Sequence, residues 1–200
     1  MYQLLETIKI VNGTFQNIEF HNNRFIKSYI ELYKKSPDFL LIEKVRSING
    51  FSSKGIVKCR FLYNKTDYKF EFTHYKKQKI LSLKVIYNNK IDYSLKYVDR
   101  SYLNLLLNQK GNCDDILIIK NGFVTDTSFS NILFFDGKNY FTPSTPLLQG
   151  TYRAKLLSEN KILEKAIKIN DIKNYISFKL INAMRDIETE KDISVTKIKL

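Results

Sequence analysis

Apolar and polar residues alternate with a period of two through much of the first half of the chain, the spacing that turns one face of a strand toward a core. Leu4 to Ile10, Gly55 to Leu62 and Ile80 to Tyr87 read as strands on this pattern, the last closed by an Asn88-Asn89 turn. Tyr68, Phe70, Phe72 and His74 fall on one face of another strand. From roughly His21 to Tyr33 the period changes: Phe25, Tyr29 and Leu32 make a stripe at spacings of four and three, with Arg24, Lys27, Glu31 and Lys34 off it, which predicts an amphipathic helix. The second half opens at Asp99, a candidate N-cap for a helix through Leu107. A strand over Ile116 to Lys120 follows, then an Asn121-Gly122 hairpin turn and a strand pair around Asp136-Gly137. Helix returns after Gly150, with Ala154, Leu156 and Leu157 inside it. The pattern predicts an α+β chain of two lobes, residues 1–93 and 94–200, joined near Tyr93 to Asp99.

Composition narrows the function classes. A content of 44% hydrophobic and 14% aromatic residues is enough for a real core and excludes a disordered chain, and only 7 Gly and 3 Pro in 200 residues leave no flexible linker. Lys+Arg 33 against Asp+Glu 20 gives a net charge of +13, which points to an anionic partner. One reading is a basic nucleic-acid-binding protein without a cofactor, with Lys76-Lys77-Gln78-Lys79 beside Phe72 and Tyr75 as the place where phosphates bind and bases stack. Lysines are spread along the whole chain, however, with no recognition-helix, zinc-finger or RNP signature, which favours a solvated lysine-rich face and no specific nucleic acid. Cys59 and Cys113 stand outside any CxxC setting, so a disulfide scaffold and a cysteine-built zinc site are excluded and a reducing compartment is expected. His21 and His74 are the only histidines, and there is neither an HExxH nor a GxSxG motif, so no metal site and no serine triad is expected. The opening MYQLLETIKI lacks the basic start and apolar run of a signal peptide, and no run approaches the ~20 apolar residues of a membrane span. The expectation is a soluble cytoplasmic protein that does not enter a membrane.

Four stretches carry more specific information. Leu5-Glu6-Thr7-Ile8-Lys9-Ile10 is followed by His21-Asn22-Asn23-Arg24-Phe25, and later comes Ser94-Leu95-Lys96-Tyr97-Val98-Asp99-Arg100. The third is the run from Gly122 to Phe134 with Phe141-Thr142-Pro143 and Leu147-Leu148-Gln149-Gly150-Thr151-Tyr152-Arg153, and the last is Ile181-Asn182-Ala183-Met184. In this order they resemble the class IV aminotransferases, the fold-type IV pyridoxal-phosphate enzymes that include branched-chain and D-amino-acid aminotransferases and 4-amino-4-deoxychorismate lyase. The most specific part runs from Gly122 to Arg153, where G-x-[VI]-T-[ED]-x-x-x-x-N, T-P and L-x-G-x-x-R occur at family spacing.

The resemblance implies a two-lobed fold-type IV architecture, a homodimer, and pyridoxal 5'-phosphate in a cleft between the lobes. The N-terminus is expected to be shortened, because Glu6 stands almost at the start where relatives carry a strand pair first. It also implies roles. Lys96 is the catalytic lysine, whose amine both anchors the cofactor and moves the substrate proton. Asp126 stands where the family usually has a Glu, as the carboxylate that keeps the ring nitrogen protonated. Asp is shorter by one carbon–carbon bond of ~1.5 Å, so the backbone must lie closer or a water intervene. Arg24, Thr151, Tyr152 and Asn182 form the phosphate cup, and Leu148 packs on the ring. Gly150-Thr151-Tyr152 also stands at a predicted helix N-terminus, where free N–H groups favour an anion.

For the substrate, a small anionic carboxylate, Lys96 to Arg100 is similar to the Lys-x-x-Asn-Arg pattern of aminodeoxychorismate lyases, and Gly55-Ile56-Val57-Lys58 resembles their strand. Leu62-Tyr63-Asn64 replaces the serine-or-threonine-Arg-Gly sequence that usually ends it. A lyase giving 4-aminobenzoate and pyruvate is the first reading, and a D-amino-acid or branched-chain aminotransferase the second. Lys58, Arg60, Arg100 and Arg153 are candidates for gripping the substrate carboxylate, and each reads equally as a structural or surface cation.

Overall fold

The computed structural model describes residues 2–48 and 54–200. Contacts gather these into two units, one of Met1–Lys77 with Leu95–Asp99 and the other of Gln78–Ser94 with Arg100–Leu200.

In the first unit β1 (Leu4–Val11) lies between β2 (Thr14–Phe15) and a longer partner, and Leu4, Glu6, Ile8 and Ile10 share its fully buried face. The helix α1 spans Ile18–Tyr33, starting three residues before the predicted His21, and ends on Lys34 in the left-handed region. A short helix, α2 (Leu41–Arg46), buries Leu41 and Val45; six residues are too few for a helical period to register in the sequence. Strands β3 (Ile56–Tyr63) and β4 (Tyr68–His74) complete an antiparallel sheet in the order β2-β1-β3-β4, with Leu4 opposite Tyr63 and Val11 opposite Ile56. Phe25 of α1 anchors the helix on this sheet, its ring centroid 4.8 Å from Tyr63, 5.6 Å from Phe61 and 5.5 Å from Phe39. Segment 95–99 adds to the unit through its backbone: Leu5 N donates to Lys96 O (3.0 Å) and Val98 N to Gln3 O (2.9 Å).

The second unit begins with β5 (Leu83–Tyr87), which the alternation places in the N-terminal lobe. It pairs in parallel with β6, so residues 78–94 join the second unit while 95–99 join the first, in place of one cut between residues 93 and 94. Alternation reports burial of one face but not the partner, and a parallel partner is necessarily distant in sequence. Helix α3 (Ser101–Leu107) has Arg100, not Asp99, at its N-cap, with no side-chain capping bond. Strands β6 (Asp115–Lys120) and β7 (Phe123–Thr127) are joined through Asn121 and Gly122, both at positive φ (52° and 81°), the backbone that an Asn-Gly hairpin turn supplies. Strands β8 (Asn131–Phe135) and β9 (Tyr140–Pro143) turn at Asp136, whose Oδ1 accepts from the amides of Lys138 and Asn139 (2.8 Å each).

Helix α4 (Thr151–Ser158) leads into β10 (Leu163–Lys165), β11 (Ser177–Ile181), β12 (Ile193–Ser194) and β13 (Ile198–Lys199). The strands form two sheets, β13-β5-β6-β7 and β10-β9-β8-β11-β12. Leu83, Leu117, Ile119 and Val124 from the first meet Ile132, Phe134, Phe178 and Leu180 from the second in one core. On the outer faces Leu103 and Leu106 of α3 cover Ile116 and Ile118, and Tyr152 and Leu156 of α4 cover Leu133 and Ile181. With both faces buried, β6 reads as the continuous apolar run Ile-Leu-Ile-Ile rather than as an alternation. Among the described residues no helix is long and apolar enough to cross a membrane.

Because Phe25 is fully buried among four aromatic rings, Phe25→Ala is expected to destabilise the protein by about 3–5 kcal/mol. Chemical denaturation followed by near-ultraviolet circular dichroism measures this.

Candidate active site

Each unit buries one carboxylate that the sequence singles out, and each solves the cost differently. In the first unit Glu6 replaces an aliphatic residue on the buried face of β1. Arg24, on α1, grips it in bidentate fashion, Nε to Oε1 at 2.8 Å and Nη2 to Oε2 at 2.5 Å, and His21 Nδ1 approaches Oε2 at 2.6 Å. Residues 21 and 24 lie on one helix face, so a single helix delivers both partners. Burial alone raises the Glu6 carboxyl, but the Arg24 charge and the hydrogen bonds from His21 and Arg24 outweigh it and hold it at about 2. Burial pushes the His21 imidazole down, more than Glu6 raises it, so the neutral ring donates its Nδ1–H to a carboxylate that can only accept. The half-buried Lys96 belongs to the same unit and its charge also lowers His21.

In the second unit Asp126, on β7, makes no ion pair among the described residues. Its Oδ1 accepts from Asn131 Nδ2 (2.8 Å) and its Oδ2 from the Leu148 amide (2.9 Å). Burial dominates here and pushes the carboxyl up to about 6, with the Leu148 and Asn131 bonds and the charge of Arg153 opposing it. Asn131 Nδ2 also donates to Leu148 O (3.0 Å), so the amide and the carboxyl hold Leu148 by both of its peptide groups. The Leu148 side chain is half-buried rather than enclosed in a core. Two residues on, Gly150 is the N-cap of α4, and a Cβ there would lie 1.9 Å from Asn131 Oδ1, so no other residue fits without moving that amide. Thr151 and Tyr152 open the helix, with no side chain capping it.

The remaining predicted groups have structural partners. Tyr152 Oη donates to Glu188 Oε2 (2.9 Å) and accepts from Ile187 N (3.1 Å), leaving its backbone as the part suited to an anion. Asn182 Nδ2 donates to Ser130 Oγ (2.9 Å) and Phe129 O (3.3 Å), bracing the turn between β7 and β8. Arg153 is buried and donates to Thr142 Oγ1, Gln149 Oε1, Pro143 O and Glu164, which makes it a structural cation rather than a substrate grip. Arg60 pairs with Glu71 (2.8 Å), and Lys58 lies on β3 opposite Lys9 and Thr73. Arg100 donates through Nη2 to Ser128 O (2.7 Å) and forms no ion pair among the described residues. No group of three His, Cys, Asp or Glu among the described residues is placed to hold a metal ion. Sequence reasoning assigned no role to Glu6 or to Asn131. A carboxylate in the apolar alternation Leu4-Glu6-Ile8 must be paired if buried, and that was the available signal for the first.

Residues 3–188 match the model of the amino-transferase class IV family. The chain belongs to the class IV aminotransferases. An uncharacterized protein of Haemophilus influenzae strain Rd is 42% identical over 195 residues, 94% of this chain and 100% of that one. A crystal structure from Haemophilus somnus 129PT, named a "putative 4-amino-4-deoxychorismate lyase", is 38% identical with a TM-score of 0.88, covering 94% of this chain and 98% of that one. At 14% identity and a TM-score of 0.74, the PLP-bound form of a hypothetical aminotransferase from Mycobacterium tuberculosis shares the fold, over 96% of this chain and 80% of that one.

Class IV aminotransferases are enzymes that use pyridoxal phosphate, and the residues of this member suit that group. The Asp126 carboxyl is raised by burial although Asn131, Leu148 and Leu147 donate to it, so it suits a protonated ring nitrogen, a cation that would reverse this upward shift. The start of α4, where the Gly150 N-cap supplies no side-chain bond, suits a phosphate.

The two carboxylates give opposite pH dependences. Glu6 is held below its ordinary 4.5, so its contribution is complete above that value and is lost as pH falls toward about 2, a loss of ~3 kcal/mol. Asp126 is raised from 3.8 to about 6, so it disfavours the folded state increasingly as pH rises through that interval. Glu6→Gln is expected to lower stability at pH 7 by about 3 kcal/mol and to flatten the acid limb, which denaturation across pH 2 to 7 reads directly.

Proposed function

We propose that this class IV aminotransferase acts as a 4-amino-4-deoxychorismate lyase, a cytoplasmic homodimer that releases pyruvate and 4-aminobenzoate. The observation that carries the reading is the buried Asp126 carboxyl, held by neutral donors next to the half-buried Leu148 and the N-terminus of α4. Pyridoxal phosphate, when bound, supplies an electron sink for the substrate's Cα bonds. Lys96 Nζ would anchor it and take the proton from that carbon. Asp126 holds the ring-nitrogen proton, and Leu148 supports the ring. Arg24 and the Thr151 and Tyr152 amides take the phosphate, with Asn182 serving through the turn that it braces. Glu6 holds the Arg24 guanidinium in place through Nε and Nη2.

For the substrate carboxylate we assign Arg100, which forms no ion pair among the described residues and whose Nη2 is fixed by the Ser128 carbonyl. Support for lyase over transaminase comes from the Lys96 to Arg100 segment and from the name given to the 38%-identical Haemophilus somnus structure. A transaminase is favoured by one feature, Leu62-Tyr63-Asn64 in place of the usual strand end.

Borohydride reduction after addition of pyridoxal phosphate is expected to leave the pyridoxyl group on Lys96 in a peptide map, and label on another lysine defeats the assignment. Incubation with aminodeoxychorismate is expected to yield pyruvate and 4-aminobenzoate. Glutamate formed only from D-alanine or leucine with 2-oxoglutarate would make the enzyme a transaminase instead.

A further inference from the structure

We propose that Asn131 is a positioning residue whose single side chain ties the Asp126 carboxyl to the start of α4, so that the two ends of a bound cofactor are set together. The proposal rests on the cofactor assignment above for its functional consequence and on the second unit alone for its geometry. Both hydrogens of Asn131 Nδ2 are spent, one on Asp126 Oδ1 at 2.8 Å and one on Leu148 O at 3.0 Å. These bonds fix which way the amide faces. Flipped, it would set its oxygen against a carboxylate and a carbonyl, two acceptors with no hydrogen between them.

With the nitrogen so placed, Oδ1 faces Gly150, at the spot where a Cβ would be 1.9 Å away. Gly150 is the hinge between the held segment and the helix, because its carbonyl accepts the Ala154 amide (2.9 Å) in the first turn of α4. Asp126 Oδ2 closes the ring by taking the Leu148 amide (2.9 Å). Neither part can move alone. Shifting the carboxyl pulls Asn131 and Leu148, and shifting Gly150 drives into Asn131.

The arrangement also explains why position 126 works as an Asp. A Glu would carry its carboxyl ~1.5 Å further along the side chain and lose both short-range donors, in a place where Asn131 is backed by Gly150 and cannot follow. Arg153, on α4, is the charged group that acts on Asp126 from the neighbouring element, while Asn131 and Leu148 supply the contacts. Removing the Asn131 donor takes away a hydrogen bond to the ionised form, which moves the carboxyl further upward.

The test is a double-mutant cycle read on two signals. The first is the titration of the Asp126 carboxyl in the cofactor-free full chain, followed by NMR with carboxyl-labelled aspartate. The second is the dissociation constant of pyridoxal 5'-phosphate from its absorbance. Asn131→Ala is expected to raise the Asp126 midpoint by about one pH unit and to weaken cofactor binding about tenfold. Gly150→Ala is expected to do the same by displacing the amide, though it touches neither group chemically. The double variant should shift no further than Asn131→Ala, because the Cβ then meets an emptied space. Asn131→Thr gives the same comparison with a smaller cavity should the alanine variant fail to fold.

A merely structural role would lower stability without moving the carboxyl titration. An unmoved midpoint in Gly150→Ala, or additive shifts in the double variant, would overturn the positioning role. Coupled midpoints with unchanged cofactor affinity would overturn instead the link between this ring of contacts and the cofactor.

Discussion

Removing a carboxylate from water costs several kcal/mol unless donors or a cation replace the lost hydration, and the buried Glu6 and Asp126 meet that cost in different ways. Glu6 is answered by a full charge from Arg24 and a neutral donor from His21, so it stays ionised to about pH 2. Asp126 is answered by neutral donors among the described residues, and burial outweighs them and lifts it to about 6. The difference has a functional meaning. The first carboxylate is satisfied and serves to hold its arginine in place, whereas the second is under-compensated and gains most from a cationic partner such as a protonated ring nitrogen.

Local structure around each carboxylate follows from its solution. Helix α1 must bring residues 21 and 24 over β1, and the aromatic cluster of Phe25, Phe61 and Tyr63 fixes it there. In the second unit the donors come from a neighbouring strand and a loop, so the chain from Leu147 to Gly150 is drawn against Asn131 and then released into α4. Glycine at 150 answers a close approach rather than a need for unusual dihedrals, since its φ of −66° is open to any residue.

Much of this was legible in the sequence. The α1 stripe, the Asn121-Gly122 turn, the alternation of β1 and β3 and the spacing of Asp126, Leu148 and Gly150 are local patterns, and they correspond to the observed elements and the groups brought together. What escaped was non-local. No periodicity reveals that β5 pairs in parallel with β6, or that Arg153 spends its donors on Thr142, Pro143, Gln149 and Glu164. The helix cap expected at Asp99 falls at Arg100 for a related reason: residues 95–99 are committed to the backbone of the first unit before α3 begins. Asn131 was visible as a motif letter but not as a contact, because its importance depends on a glycine nineteen positions later whose missing Cβ no sequence pattern displays.

The same accounting of donors bears on how the enzyme would recognise a carboxylate substrate. A net charge of +13 looks like an abundance of candidates, yet Arg153 and Arg60 are paired with Glu164 and Glu71, and Arg24 shares its charge with Glu6. Arg100 differs in kind. Among the described residues its guanidinium donates to a carbonyl, which orients it without cancelling its charge. That carbonyl belongs to Ser128, in the turn that carries the chain from Asp126 to Asn131 and that Asn182, just after β11, braces. One short turn therefore links the carboxyl proposed to govern the ring nitrogen, the amide that positions it and the cation assigned to the substrate. Selectivity and proton control would then share a scaffold, and a change in that turn would be felt in both.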